Sequence, residues 1–438
     1  MGRGASWRAP GDPEPTGVDT PAFRRLWWAW TVSLFGDGVR GMALPLYVAA
    51  ETRSALAASA VTAAEVLPWL LFALPAGALV DRMQPRTVMA VAHAARALLT
   101  AGLAAAIVLE GANVAVICAF AFVLTVGETF AYPASQAMMV ELAGRDQLDR
   151  ANSQFYTVHT IGLNLAGPLA AGALVALGAP LAFALDSLTF VVAAVLVVML
   201  PAVTGQLPAA TARPRLRTDV VEGITVIWRT VGLRVLVLMV ITGTIAVSAL
   251  NTLTPLYAFE ALGMATQFVP ALLVVGALGT LLGTRIVPAA ARRWGDGAVM
   301  VASMAVLGLG AITFGSYPLV AVALLGNALA GVGVGGWNVL AAARRQRLTP
   351  PGAMGRVSGA YRMLAWGLMP VGAALAGPLA VATSLGSVFV IVGCVVLAVL
   401  VFAARWLLVT GAALPPPRAA EPVQHRHAQA QQPVQAPE

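Results

Sequence analysis

Between residues 26 and 409 the chain reads as twelve apolar runs, at 26–50, 56–80, 87–109, 113–139, 152–177, 180–200, 233–258, 267–290, 297–315, 318–342, 356–382 and 386–409. A bilayer core about 30 Å thick takes about 20 apolar residues per helix, and inside it every backbone N–H and C=O must be bonded within the segment. The expected fold class is therefore an all-α membrane protein of twelve transmembrane helices. Composition agrees: 59% of the residues are hydrophobic, 11% are charged and the mean hydropathy is +0.82, against about 25% charge in a soluble globular chain. The first run follows Arg24 and Arg25 but is too long for the apolar core of a signal peptide, so it counts as a span. Residues 1–21 and 410–438, rich in Pro, Gly, Gln and charge without period, are expected to be disordered tails.

All 27 basic residues are arginine. Without lysine the chain has neither a phosphate-cradling P-loop nor a Schiff-base site, so no cofactor is expected and energy must come from an ion gradient or another subunit. The two cysteines, Cys118 and Cys394, lie in apolar runs, and His425 and His427 in the tail are too isolated for a metal site. Of the arginines, 22 fall in loops and tails on one side of the twelve-span topology, one, Arg53, falls on the other, and Arg40, Arg96, Arg285 and Arg362 lie within spans. Basic residues resist translocation, so both termini are expected in the cytoplasm, with the chain in the plasma (inner) membrane. The net charge of +8 is then explained by sidedness and anionic lipid headgroups, and nucleic acid is not expected as a partner.

Three matches recur at one offset of 210: Pro45-Leu46-Tyr47 with Pro255-Leu256-Tyr257, Arg82 with Arg292, and Ala166-Gly167-Pro168-Leu169-Ala170 with Ala376-Gly377-Pro378-Leu379-Ala380. The chain thus divides into six-helix copies at 22–200 and 223–409, joined by a cytoplasmic linker at 201–222. Six spans per copy is even, so both enter the bilayer in the same orientation.

The segment Gly77-Ala-Leu-Val-Asp81-Arg82-Met-Gln-Pro-Arg86 resembles the loop between helices 2 and 3 of the major facilitator superfamily, Gly-x-x-x-Asp-Arg-x-Gly-Arg-Arg, with Gln84 and Pro85 departing from its turn. The resemblance covers residues 22–409. Leu34-Phe-Gly-Asp37, Ala43-Leu-Pro45 and Gln346-Arg-Leu-x-Pro350, followed by Gly355-Arg356, Tyr361-Arg362, Trp366-Gly367 and Pro370, look like the branch holding macrolide-efflux and siderophore (enterobactin) exporters. The resemblance implies the two-bundle fold and a latch between the halves at Gly77, Asp81, Arg82 and Arg86. It also implies an antiporter-like helix 5 at Gly162, Gly167, Pro168 and Gly172. There small residues allow close helix approach and Pro168 removes one backbone hydrogen bond. In helix 4 the family's Arg-x-x-x-Gly pattern is replaced by Gly127-Glu128-Thr129-Phe130.

An ionisable residue at the bilayer centre costs about 2.5–3.5 kcal/mol on insertion scales, so each intramembrane acid is a functional candidate. Asp37, Glu65, Glu128 and Asp186 all lie in the first copy, and their counterparts 210 residues on are Val247, Val275, Asn338 and Val396. The first half is thus expected to handle cations and the second to shape a substrate cavity. Asp37 and Arg40 share a face of helix 1, either as a permanent pair or as a titrating site. Glu128 is either a proton site or a partner of Arg96. Glu65 is open, and Asp186 is expected to make a packing contact near the outer surface. Proton-coupling candidates are Asp37, Arg40, Glu65 and Glu128. His93 and His159 are expected to hydrogen-bond locally. Trp69, Phe130, Tyr156, Asn164, Asn251, Asn327, Trp337, Asn338, Arg362 and Trp366 are candidate cavity residues for a large, partly apolar ligand.

These features point to a monomeric secondary transporter that exports a small amphipathic molecule, such as a drug, antibiotic or siderophore, by alternating access and proton antiport. The alternatives are a lipid or lysolipid flippase of the same fold and, from another class, a receptor or scaffold. An enzyme would need a convergent nucleophile, base or metal set, which the sequence does not offer. Reporter fusions should place the tails and residues 201–222 in the cytoplasm and residues 51–55 and 260–266 outside. An external signal from the 201–222 segment would contradict the twelve-span topology.

Overall fold

The computed structural model describes residues 17–80, 83–201, 216–350 and 353–412. Most of the expected tails and the first part of the linker fall outside the described residues, as do Asp81 and Arg82 of the expected latch.

Among the described residues the fold is α-helical, without strands. The first half contains α1 (Pro21–Thr52), α2 (Ala55–Val80), α3 (Pro85–Val108), α4 (Val114–Ala143), a span made of α5 (Leu148–Ile161) and α6 (Gly167–Leu177), and α7 (Ala179–Val198). A π-helical turn, Gly162–Ala166, joins α5 to α6 just before Pro168, the residue that cannot donate a backbone hydrogen bond. The second half contains α9 (Val231–Glu260), α10 (Pro270–Trp294), α11 (Asp296–Ser316), α12 (Val320–Leu348), a span made of α13 (Met354–Gly367) and α14 (Met369–Ala382), and α15 (Leu385–Ala412). Pro21 and Val231, the first residues of α1 and α9, are 210 apart, and the fifth span of each half is broken near its middle. Eleven spans are long and apolar enough to cross a bilayer. The twelfth, α1, has 32 residues, with Asp37 and Arg40 interrupting its apolar stretch.

Helix ends follow local chemistry. Thr20 caps α1, its hydroxyl accepting from Phe23 N at 3.2 Å ahead of Pro21, and Asn113 caps α4 by accepting from Val116 N at 3.0 Å. Three expected boundaries shift. Gly17–Thr20, assigned to a disordered tail, is held against the α4–α5 connection: Val18 is buried and its N–H donates to Gln147 Oε1 at 3.1 Å. The linker is helical from Leu216, and this α8 (Leu216–Arg229) runs across the expected 222/223 boundary. It docks on α13 through a Glu222–Arg356 ion pair, with Val221 and Trp228 exposed. At the far end α15 continues past residue 409 to Ala412.

The apolar cores reveal how the halves meet. Toward the α1–α2 turn one core is shared, with Leu44, Leu46 and Phe183 from the first half against Leu253, Tyr257 and Phe389 from the second. Toward the opposite end each half has its own core, around Phe23, Met138 and Phe155 in one and Met300, Trp337 and Val357 in the other. The junction runs where α2 meets α14 and α6 meets α10, and an Arg53–Glu260 ion pair of 2.9 Å crosses it. The halves are therefore closed at one end and separate at the other.

Within the first half α1 lies against the π turn. A Cβ on Gly38 would meet Leu163 Cα at 3.0 Å and Gly167 Cα at 3.1 Å, which is backbone and cannot rotate away. Around Gly41, one turn on, such an atom would meet nothing within 4 Å. Both glycines gain the same helix propensity on mutation to alanine, so the comparison isolates packing. Gly38→Ala should lower thermal stability in detergent by about 1–3 kcal/mol relative to Gly41→Ala. Equal melting of the two variants would contradict this packing.

Candidate functional site

Arg40 is buried in the middle of α1 and meets a carboxylate on each of four helices. Its Nη1 is 2.8 Å from Glu65 of α2, its Nη2 is 3.2 Å from Asp37 of α1 and 3.3 Å from Glu128 of α4, and its Nε is 3.8 Å from Asp186 of α7. Arg96 of α3 reaches the same place. Its Nη2 pairs with Asp37 Oδ1 and lies 3.6 Å from Glu128 Oε2, while its guanidinium carbon sits 4.1 Å from the centre of the Phe190 ring. Asp37 thus accepts from both guanidiniums through one oxygen, which ties α1 to α3.

The cluster is graded in its access to water. The side chains of Asp186, Arg96, Arg40 and Asp37 are 0%, 1%, 3% and 6% exposed, against 17% for Glu65 and 29% for Glu128. The innermost pairing is also the least complete, since Arg40 Nε, Arg96 Nε and Asp186 Oδ2 have no hydrogen-bond partner. Small residues make room for it. A Cβ on Gly36 would overlap the side chains of Thr189 and Asp186, and one on Gly127 would meet Arg96 Cγ at 2.9 Å.

Asp37 and Glu65 also line a central cavity of about 440 Å³ between the halves. Asn164 of the π turn, Asn251 of α9 and Asn327 of α12, three of the expected cavity residues, line it as well, as does Pro168 of the antiporter-like segment. A second cavity of about 330 Å³ lies within the second half, and Trp337, Asn338 and Trp366 are on its wall. The two cavities share Val247, Leu307 and Val334.

Other expected residues fall elsewhere. Trp69 packs edge-on against Tyr132 at 6.0 Å, and Phe130 joins the first half's own core. Tyr156 is exposed and stacked on His159, and Arg362 is exposed on α13. None of these four lines either cavity. Of the latch, Gly77 is half-buried in α2 and Arg86 donates to Val198 O at the end of α7. In the antiporter-like segment Gly167 faces Gly38, Gly162 lies against the Leu34–Phe35 backbone, and Gly172 meets Pro270 across the junction. His93 stacks on Phe190, and its Nδ1 has no partner.

Two corrections follow for the charged residues. Asp186 is not a packing contact near the surface but a fully buried member of the cluster. Arg40 is not confined to one pair with Asp37, because three further carboxylates surround it. Asp186 interrupts an otherwise uncharged run, and that was the available signal: an acid so placed needs a partner.

The sequence model of the Major Facilitator Superfamily matches residues 26–374. The multidrug efflux pump Tap of Mycolicibacterium fortuitum is 29% identical over 367 residues, covering 81% of this chain and 88% of that protein. The pump of the same name from Mycobacterium tuberculosis is 29% identical over 385 residues, covering 84% and 89%. Among solved structures, the nucleoside transporter NupG (D323A mutant) aligns with a TM-score of 0.74 at 12% identity, covering 88% of this chain and 99% of that one. A bacterial homologue of the iron transporter ferroportin in its inward-facing state aligns with a TM-score of 0.69 at 15% identity, covering 89% and 98%. With its two bundles around a central cavity and a family match over most of its length, the chain is a member of the major facilitator superfamily.

Proposed function

We propose that the protein exports a small amphipathic molecule from the cytoplasm by alternating access, driven by proton entry, with the Arg40 cluster as the coupling site. The observation that carries this reading is the charge balance of the cluster. Four carboxylates face two guanidiniums, so a neutral site needs two more positive charges. Inside a membrane protein uncompensated charge is costly, and protons are the carriers that fit where an oxygen is already enclosed. Glu65 and Glu128 stand on the water-accessible side and Asp186 on the dry side, which suits a site that loads from a cavity.

Asp37 is the member placed to convert proton binding into motion. Its single bridging oxygen holds Arg40 and Arg96 together, so protonation there weakens the tie between α1 and α3 while Arg40 keeps Glu65. With the termini in the cytoplasm, the closed end with Arg53 is external and the open end internal, an inward-facing arrangement ready to receive cytoplasmic substrate. Efflux as the direction is supported by the relatives named multidrug efflux pumps.

The test uses inverted vesicles with an acid lumen and a compound found by growth-protection screening. Wild type should concentrate the compound inside. Asp37→Asn should lose this uphill accumulation while keeping binding and downhill exchange, since Arg40 retains Glu65 at 2.8 Å and is not orphaned. Glu128→Gln, at the more exposed edge, is the comparison for the rival proton site. Accumulation by Asp37→Asn equal to wild type would overturn the coupling role of Asp37.

A further inference from the structure

The two cavities stand in a repeat relation that gives the second a meaning of its own. Val247 and Asn338 are the counterparts, 210 residues on, of Asp37 and Glu128, and both line the cavity in the second half. Where the first half gathers acids, the described lining of this cavity contains none. It carries Trp337, Tyr361 and Trp366, with one cation, Arg345.

Arg345 is set apart from its neighbours at the end of α12. Arg344 is buried and donates to Leu407 O at 2.9 Å, and Arg347 pairs with Asp296 at 2.5 Å. Both are thus used in fastening helices. Arg345 instead turns inward, its guanidinium carbon 4.3 Å from the centre of the Tyr361 ring, and no described carboxylate pairs with it. Membrane sidedness accounts for an arginine at this end of the helix but not for its side chain lining a cavity. The guanidinium also bonds to the Tyr361 side chain, but its Nε has no hydrogen-bond partner and a guanidinium has five N–H donors, so it can still meet an acceptor beside the exposed ring of Trp366.

We infer that this cavity is the binding site for an amphipathic substrate with a flat aromatic body and an anionic group, the body seated against Trp366 on a wall that the buried rings of Trp337 and Tyr361 support, and the anion held by Arg345. This deepens the export reading above and rests on it for the word substrate. Because Val247, Leu307 and Val334 border both cavities, a molecule seated here adjoins the chamber lined by Asp37 and Glu65.

The probes are 1-pyrenebutyrate and its neutral analogue 1-pyrenebutanol, and binding is read by energy transfer from tryptophan to pyrene. The full chain is held in phosphatidylcholine nanodiscs. Wild type should bind the anion more tightly than the alcohol. R345Q should weaken the anion by about tenfold or more, the scale of a charge-assisted hydrogen bond, and leave the alcohol within about twofold. W337L should weaken both. R345K, which keeps the charge, should retain a preference for the anion. No preference in wild type, equal losses of both probes in R345Q, or a preference unchanged by R345Q would overturn the assignment. Binding is read without a proton gradient, so these outcomes bear on this site alone, whereas the vesicle assay of Asp37→Asn bears on coupling alone.

Discussion

Arg40 holds a full positive charge in the middle of a membrane helix, and the first half is arranged to make that tolerable. A lone arginine at the bilayer centre costs several kcal/mol, and the cost is met by carboxylates from α1, α2, α4 and α7. Those acids are then too many for one arginine, and Arg96 enters from α3. Six charged groups on five helices fix how those helices face one another. Losing one partner of such a network typically costs about 3–5 kcal/mol when it leaves a buried charge unpaired. Here every guanidinium has more than one carboxylate beside it, so single neutral substitutions leave alternatives. That redundancy is what the proposed proton site requires and a static pair does not.

The second half shares the fold but not the charges. Its counterparts to the four acids are three valines and an asparagine, and two of them, Val247 and Asn338, line a cavity walled by aromatic rings and one guanidinium. The asymmetry follows from duplication: two copies with the same helix packing, held by glycines at close crossings, are free to diverge where side chains face the cavity. Shared apolar packing joins the two bundles near the Arg53 end, and each keeps its own core at the other.

Much of the fold was legible because bilayer thickness sets helix length, and an offset of 210 is a simple regularity. What was not legible was amphipathic or tertiary. The stretch from Leu216 reads as an arginine-rich linker, and its helical period shows only once α13 is there to receive it. Asp37 and Arg40 could be paired from their three-residue spacing, since neighbours on a helix face are a local property. Asp186 could not be joined to them, because the packing of α7 on α1 and α3 is not written in either helix. Asp186 lies early in the run at 180–200, and its expected place is near the outer surface. Arg40, one turn nearer the α1–α2 end than Asp37, brings its guanidinium to that depth. The aromatic candidates show the same limit: Trp366 reaches a cavity, Trp337 lines it from within the core, Trp69 packs on Tyr132 and Phe130 joins a core, and composition does not separate them.

The proposed binding and release of protons by the buried cluster can be tested without knowing the substrate. Vesicles carrying the protein are adsorbed on a solid-supported membrane and given a rapid pH step with no substrate present. Proton entry into a buried site should displace charge and give a transient current in wild type. The current should be lost when Asp37→Asn and Glu128→Gln are combined, and it should persist when Asp296, which pairs with Arg347 away from the cluster, is changed to Asn. A wild-type protein with no transient, or a double variant with an undiminished one, would rule out proton binding at this cluster.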